Sequence, residues 1–153
     1  MGALASLAAA ANGLYFSIEG LTATDKYDPA STSVDFTVSD PTAFPEQGGV
    51  EPGSCSIAWN APNTVPTCWS QCTNNGYYAR ITAGTYASAA NFSLDIWQAF
   101  VYELANHNSA TVPIAFADCY TDAACEVCTE SGSAFNQTLT TYYAGSDPTG
   151  AIC

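Results

Sequence analysis

Hydrophobic residues fall at every second position in six stretches of this chain, and no other feature constrains the fold as strongly. In the clearest stretch, Val34, Phe36 and Val38 alternate with polar side chains. Successive side chains of a strand point to opposite faces, so a period of two predicts a strand with one buried face. The same pattern predicts strands near residues 14–18, 55–59, 77–81, 92–96 and 112–116. A last strand is predicted over 135–143, with Phe135, Leu139 and Tyr143 on one face.

Turn-forming residues separate these stretches. Residues 40–54 contain three prolines and three glycines, and residues 60–76 end in Asn75-Gly76, a strong hairpin signal. Residues 97–107 fit either a strand or a short helix. Because the chain has no internal repeat and no linker, we predict an all-β fold. It is a single antiparallel β-barrel or sandwich domain over residues 12–153, held together by disulfides.

The chain carries very little positive charge. Lys26 and Arg80 stand against fourteen Asp and Glu residues, which gives a net charge of −12. A surface of this charge repels phosphate groups, so we expect no nucleic-acid partner and no binding to anionic membranes. No stretch has the roughly 18 apolar residues that a membrane-spanning helix needs.

Seven cysteines in 153 residues indicate an oxidising compartment and a disulfide framework. Cys55 and Cys72 flank a proline-rich loop of about 17 residues, whose closure is worth roughly 3 kcal/mol. Cys119 and Cys128 flank an acidic loop, so we favour these two pairings while many others stay open. One cysteine must be left over, either free or linking two copies of the chain, and the unassigned residues are Cys68, Cys125 and Cys153.

Two further signals point to secretion. Residues 3–11 form a short apolar run ending in small residues, so we interpret residues 1–11 as the remnant of a signal peptide cleaved near Ala11. Asn91 and Asn136 each begin an Asn-x-Ser/Thr glycosylation motif. Both asparagines fall on the polar faces of their predicted strands, where a glycan would point into solvent. The expected location is therefore extracellular.

The sequence offers little for catalysis. His107 is the only histidine and lies in a polar stretch that reads as an exposed loop, without a nucleophile motif nearby. A carboxylate-dependent hydrolase could pair Asp95 with Glu103, or use Asp118, Asp122 and Glu126, but solvated surface carboxylates are the favoured explanation of these residues.

Metal sites are not expected either. The acidic run from Asp118 to Glu130 lacks the glycine pattern of a calcium-binding loop. A zinc or redox site would need Cys125-x-x-Cys128 in a context that the sequence does not provide. We therefore predict a protein that is not an enzyme and uses no metal and no cofactor.

Aromatic residues favour a binding role instead. The chain has adjacent Tyr-Tyr pairs at 77–78 and 142–143, and alternation places one member of each pair outward. Tyrosine and tryptophan side chains on a surface offer a large rigid contact area for a protein or a sugar ring. The candidate binding aromatics are Trp69, Tyr78, Trp97 and Tyr142.

Five segments together resemble the Alternaria major-allergen-like family of small secreted fungal proteins. They are LYFSIEGLTA (14–23), SVDFTVSD (33–40), CSIAW (55–59), WSQC (69–72) and NFSLDI (91–96), so the resemblance covers about half of the chain. It is a likeness of strand pattern, cysteines and tryptophans rather than of a catalytic motif.

The resemblance implies a compact β-barrel and a bridge between Cys55 and Cys72. It also implies a second bridge near the C-terminus, from Cys119 to Cys128 or Cys125, while Cys68 and Cys153 have no counterpart. Members act as allergens, elicitors and effectors, so the implied function is extracellular binding of a host or cell-wall protein or glycan. The alternatives are a carbohydrate-binding module and, less favoured, the hydrolase.

Overall fold

The protein folds into two antiparallel β-sheets packed face to face. The structure is a computed structural model that describes residues 14–43, 51–61, 63–74, 76–99, 106–130, 134–143, 145 and 147–153. Within these ranges all regular elements are strands, and no helix is long and apolar enough to cross a membrane. The strands are β1 (Tyr15–Tyr27), β2 (Ala30–Ser39), β3 (Gly53–Asn60), β4 (Ser70–Gln71), β5 (Tyr77–Ile81), β6 (Asn91–Ala99), β7 (His107–Ala115), β8 (Cys119–Thr121), β9 (Cys125–Thr129), β10 (Phe135–Thr138) and β11 (Thr140–Tyr142).

Six strands form the first sheet and five form the second. The first sheet has the order β3-β2-β1-β9-β8, with β10 also paired to β1, and the second has the order β11-β7-β6-β5-β4. Every pairing between these strands is antiparallel, as short connections between neighbouring strands allow. The predicted all-β antiparallel fold, stabilised by disulfides, is thereby confirmed as a sandwich.

The core between the sheets is built from the alternating residues of the sequence pattern. Val34, Phe36 and Val38 of β2 and Phe92, Leu94 and Ile96 of β6 are all buried in one hydrophobic cluster. Full burial of such a side chain stabilises the fold by about 1.5–3 kcal/mol. Inward-facing residues of the other predicted strands complete the cluster: Phe16, Ile18, Ile57, Tyr77, Ala79, Ile81, Val112 and Ile114.

A bulge in β1 extends the first strand well beyond its predicted end. The register with β2 shifts between Glu19 and Thr22, and Gly20 lies within the shift at a φ of 66°, which glycine adopts without steric cost. The buried positions before the bulge are Phe16 and Ile18, whereas those after it are odd-numbered, beginning at Leu21. The shift keeps hydrophobic side chains inward while breaking the simple period of two.

The chain crosses from the first sheet to the second within a few residues. Strand β10 pairs with β1, strand β11 pairs with β7, and the buried Leu139 lies between them. The prediction that Phe135, Leu139 and Tyr143 share one face of one strand is therefore wrong. The predicted strand over 135–143 ends in the structure at Thr138. Tyr143 lies beyond the crossing and is exposed.

Three disulfides join parts of the chain that strand pairing alone leaves apart. Cys55 on β3 bonds to Cys72 after β4, which ties the edges of the two sheets together. Cys119 bonds to Cys128 across the hairpin of β8 and β9, so the acidic loop of the sequence prediction is in fact two paired strands. Cys68 bonds to Cys153, and Cys125 is the free cysteine. Three disulfides are typical of an oxidising compartment such as the extracellular space.

Two sequence predictions fall outside the described residues. The signal-peptide remnant at 1–11 belongs to the undescribed range 1–13, and Glu103 belongs to 100–105. The ambiguous stretch 97–107 is resolved at both ends as strand, since β6 continues to Ala99 and β7 begins at His107.

Candidate functional site

A cleft lies on the outer face of the second sheet, on the side that faces away from the core. It encloses about 330 Å³, and we call it the aromatic cleft. Strands β5, β6, β7 and β11 form its floor, and the end of the chain forms one wall. Its lining side chains combine aromatic rings, hydroxyl groups and one ion pair: Trp69, Arg80, Asp95, Trp97, Ser109, Thr111, Thr138, Thr140, Tyr142 and Thr149.

The register of the strands brings these residues together. Arg80 of β5 lies opposite Asp95 of β6, which in turn lies opposite Thr111 of β7. In the next outward-facing row, Trp97 lies opposite Ser109, and Ser109 lies opposite Thr140 of β11. Side chains directly opposite each other on neighbouring strands are about 5 Å apart, so two rows of the sheet suffice to make the floor.

Four rings form a continuous row along the cleft. Trp69 meets Trp97 edge to face with ring centroids 5.8 Å apart, and Trp97 stacks on His107 at 3.5 Å. His107 in turn stacks on Tyr142 at 5.2 Å. Such contacts fix the planes of the rings, so Tyr142 at the exposed end of the row has a defined orientation.

His107 holds the centre of this row, contrary to the prediction of an exposed loop histidine. It is the first residue of β7 and is buried. Its Nδ1 lies 2.6 Å from the carbonyl oxygen of Gly145, which can only accept a hydrogen bond, so Nδ1 carries the proton. Burial lowers the pKa of His107, with the Gly145 contact opposing it, and so favours the neutral ring. The polar residues next to His107 suggest a loop, because the local sequence does not show that this segment pairs with β6.

The ion pair of the cleft is held by several neighbours. Arg80 Nε donates to Asp95 Oδ2 at 3.0 Å, and its guanidinium carbon lies 4.1 Å from the centre of the Trp69 ring. Asp95 Oδ1 accepts hydrogen bonds from the hydroxyls of Thr82 at 2.7 Å and Thr111 at 3.0 Å. Each group of the pair is therefore fixed in place by at least one further contact.

The end of the chain forms a wall over Trp69. We call residues 147–153 the C-terminal strap. The Trp69 N–H donates to the Ala151 carbonyl at 2.9 Å, and the Cys153 N–H donates to the Trp69 carbonyl at 2.8 Å. The indole Nε1–H of Trp69 donates to the Thr149 carbonyl at 3.0 Å. The Cys68–Cys153 disulfide lies beside these bonds and holds the strap to the segment that carries Trp69.

The structure places the four predicted binding aromatics on one side of the molecule. Trp69 and Trp97 are only 3% and 7% exposed, yet neither belongs to the core between the sheets. Tyr78 is half-buried opposite Trp97, and burial followed by the charge of Asp147 raises its pKa. Tyr142 is 47% exposed. The two tryptophans lie outside the core, as the prediction of outward aromatics requires. They are not exposed, however, because the row of rings and the strap cover them.

The remaining predicted residues lie elsewhere. Asn91 and Asn136 are both exposed, on β6 and β10. Asp122 accepts hydrogen bonds from the backbone N–H groups of Ala124 and Cys125, which lower the pKa of its carboxyl group, and it is exposed. The sulfurs of Cys119 and Cys128 lie near Glu126, but they form a disulfide and offer no thiolate to a metal.

A buried polar network behind the cleft was not predicted. Asn108 of β7 donates to Gln98 Oε1 at 2.9 Å and to Asp40 Oδ2 at 3.3 Å, and its own Oδ1 accepts from Thr141 at 2.6 Å. Burial raises the pKa of the Asp40 carboxyl group, while hydrogen bonds from Thr42 and Asn108 act in the opposite direction. Through Asp40, which directly follows β2 of the first sheet, these side chains link the two sheets and fix the floor of the cleft relative to the core.

Fold and site together define a class of protein: a disulfide-held β-sandwich with a preformed cleft on the outer face of one sheet. Comparison of the sequence with protein-family models finds no match, and neither does comparison with curated proteins. The likeness to the Alternaria major-allergen-like family therefore stays a prediction from sequence.

Proposed function

We propose that this chain is a secreted, non-catalytic protein of the allergen and effector kind that binds a host or cell-wall component in the aromatic cleft. The observation that carries the proposal is the cleft itself, where ordered aromatic rings, hydroxyl groups and an oriented ion pair converge in about 330 Å³. Binding sites for small ligands start at about this volume and use a few placed polar groups to orient the ligand.

Action outside the cell is supported by the chemistry of the fold. Six of the seven cysteines are paired in disulfides, which reducing compartments do not maintain. The glycosylation motifs at Asn91 and Asn136 present exposed asparagines, as attachment of a glycan requires.

A binding role fits the cleft better than hydrolysis does. Asp95 is the one carboxylate among the described residues of the cleft lining, and it accepts hydrogen bonds from Arg80, Thr82 and Thr111. Hydrolysis of glycosides by paired carboxylates needs a second acid within about 5–9 Å to protonate the leaving group or to activate water. Besides Asp95, the described lining offers hydroxyl groups, aromatic rings, Arg80 and the apolar Ile96 and Ala110, and none of these is a carboxylic acid.

The test is co-sedimentation of the secreted, oxidised protein with insoluble fungal and plant cell-wall material. We expect the wild-type protein to sediment and Tyr142→Ala to stay in solution, because Tyr142 is the half-exposed ring of the cleft. Tyr120→Ala is the matched control: Tyr120 is 64% exposed on β8 of the first sheet and lines no part of the cleft. Equal sedimentation of both variants would place binding elsewhere, and no sedimentation of the wild type would contradict the proposal.

A further inference from the structure

We infer that the aromatic cleft binds a short segment of a neutral oligosaccharide, with Tyr142 as the stacking surface and the hydroxyls of β7 and β11 as hydrogen-bonding partners. The inference rests on the proposed function and deepens it by naming the ligand class. Three properties of the cleft carry it: the mixture of rings and hydroxyls, the compensated charge and the size.

The rings offer what the apolar face of a sugar requires. A pyranose ring presents a patch of C–H groups on each face, and an aromatic ring that is already held in place contacts such a patch at little cost in side-chain entropy. Tyr142 meets this condition because stacking on His107 fixes its plane while about half of its surface stays exposed. Trp97 stacks on the other side of His107 and supports the row from within the sheet.

The hydroxyls offer what the edge of a sugar requires. Sugar hydroxyls both donate and accept hydrogen bonds, and so do the hydroxyls of serine and threonine. Ser109 and Thr140 lie directly opposite each other on β7 and β11, next to Tyr142. Thr138 and Thr149 extend this hydroxyl lining on the two sides of the floor. An apolar ligand such as a lipid chain would displace the water bound to these hydroxyls and offer no hydrogen bond in its place.

Charge favours a neutral ligand over an acidic one. The cation of the cleft, Arg80, is compensated by Asp95 at 3.0 Å. Asp147 is close enough to Tyr78 to raise the pKa of its hydroxyl, and the whole chain has a net charge of −12. Uronic acids, sulfated sugars and phosphates would therefore approach against a negative potential, with no uncompensated cation among the lining residues described.

The volume of about 330 Å³ fits a short segment rather than a long chain. It lies at the lower end of the ~300–1,000 Å³ range of small-molecule sites. The strap closes one side of the floor, and its Trp69–Thr149 hydrogen bond keeps this wall in place. We therefore expect affinity to stop increasing after the first few sugar units of an oligosaccharide series.

The experiment is isothermal titration calorimetry of the oxidised protein with neutral gluco-, manno- and N-acetylglucosamine oligosaccharides of increasing length. An oligogalacturonate series supplies the acidic comparison, and each titration is run at low and high salt. We expect one neutral series to bind with an affinity that is insensitive to salt, and oligogalacturonate not to bind.

Variants assign that binding to the cleft. Tyr142→Ala is expected to weaken it by about tenfold or more, while Tyr142→Phe, which retains the ring, keeps most of it. Thr140→Val removes one hydroxyl at nearly constant shape and is expected to weaken binding severalfold. Tyr120→Ala is the control and should bind as the wild type does.

Three results overturn the inference and are distinguishable. If wild-type protein but not Tyr142→Ala sediments with cell-wall material while only oligogalacturonate binds in titration, the ligand class is wrong and the proposed function stands. If neutral sugars bind equally to the wild type and to Tyr142→Ala, the cleft is not their site. Failure of the wild type to bind both the wall material and every sugar contradicts the function and the ligand class together.

Discussion

Replacing Cys68 and Cys153 together by alanine removes the disulfide that spans the longest stretch of chain. Its cysteines are 85 residues apart, compared with 17 for Cys55–Cys72 and 9 for Cys119–Cys128. A disulfide restricts the unfolded chain, and the loss of conformational entropy increases with the logarithm of the length of the closed loop. The three bonds should therefore differ in what they contribute to the free energy of unfolding.

The separations set the expected order. Loop closure corresponds to about 4.5 kcal/mol for the Cys68–Cys153 bond, about 3 kcal/mol for Cys55–Cys72 and about 2.5 kcal/mol for Cys119–Cys128. The first value is an upper limit, because the C-terminal strap can gain freedom in the folded state once its bond is removed. Its three hydrogen bonds to Trp69, each worth about 1 kcal/mol, oppose that release.

The assay is guanidinium chloride unfolding of the three double variants, followed by tryptophan fluorescence without reductant. All variants carry Cys125→Ser, so that no free thiol can exchange with the remaining bonds, and the Cys125→Ser single variant is the reference. Hydrogen exchange at the Trp69 and Cys153 amides reports whether the strap stays docked. If loss of Cys68–Cys153 destabilises the protein less than loss of Cys119–Cys128 while both amides stay protected, the loop-entropy reasoning is refuted.

Three further predictions follow from the site and its surroundings. Because burial lowers the pKa of His107, the unfolded state takes up a proton at a higher pH than the folded state does. His107 therefore reduces stability as the pH falls below its ordinary pKa of about 6.5. Between about pH 5 and 7.5, the melting temperature of His107→Phe should depend less on pH than that of the wild type. Asn108→Ala removes a donor from the buried Asp40 carboxylate, so chemical denaturation should show a loss of about 3 kcal/mol, and a loss below about 1 kcal/mol would contradict the proposed importance of the network. Thiol titration of the unfolded, unreduced protein should find one reactive group, and Cys125→Ser should abolish it.

The alternating pattern predicted the interior of the sandwich because inward and outward faces are local properties of a strand. Phe92, Leu94 and Ile96 are buried as their alternation requires. The pattern failed where a strand is short and its side chains are exposed on both faces, as at Cys119–Thr121 of β8. It also failed at Gly20, since a bulge changes which positions face inward and the period of two does not continue through it.

The site was predictable only in its parts. Trp69, Trp97 and Tyr142 are candidate aromatics in the sequence, but no local pattern indicates that they belong to one row. Trp69 and Thr149 are 80 residues apart and meet through a hydrogen bond, and the Cys68–Cys153 pairing that holds them together is one of many that seven cysteines allow. His107, which joins Trp97 to Tyr142, was misassigned because its burial depends on strands that are distant in sequence.

The position of Arg80 is the strongest argument that the cleft is more than a packing feature. The chain contains two basic residues, and one of them lies in the cleft lining. An ion pair whose side chains are 31% and 16% exposed contributes at most about 1 kcal/mol to stability, so stability alone does not explain an arginine there. Contacts with Trp69, Asp95 and the Thr67 carbonyl instead hold the guanidinium in one orientation at the floor of the cleft. A donor fixed in this way loses little entropy when a ligand binds, which is the property that a preformed site requires.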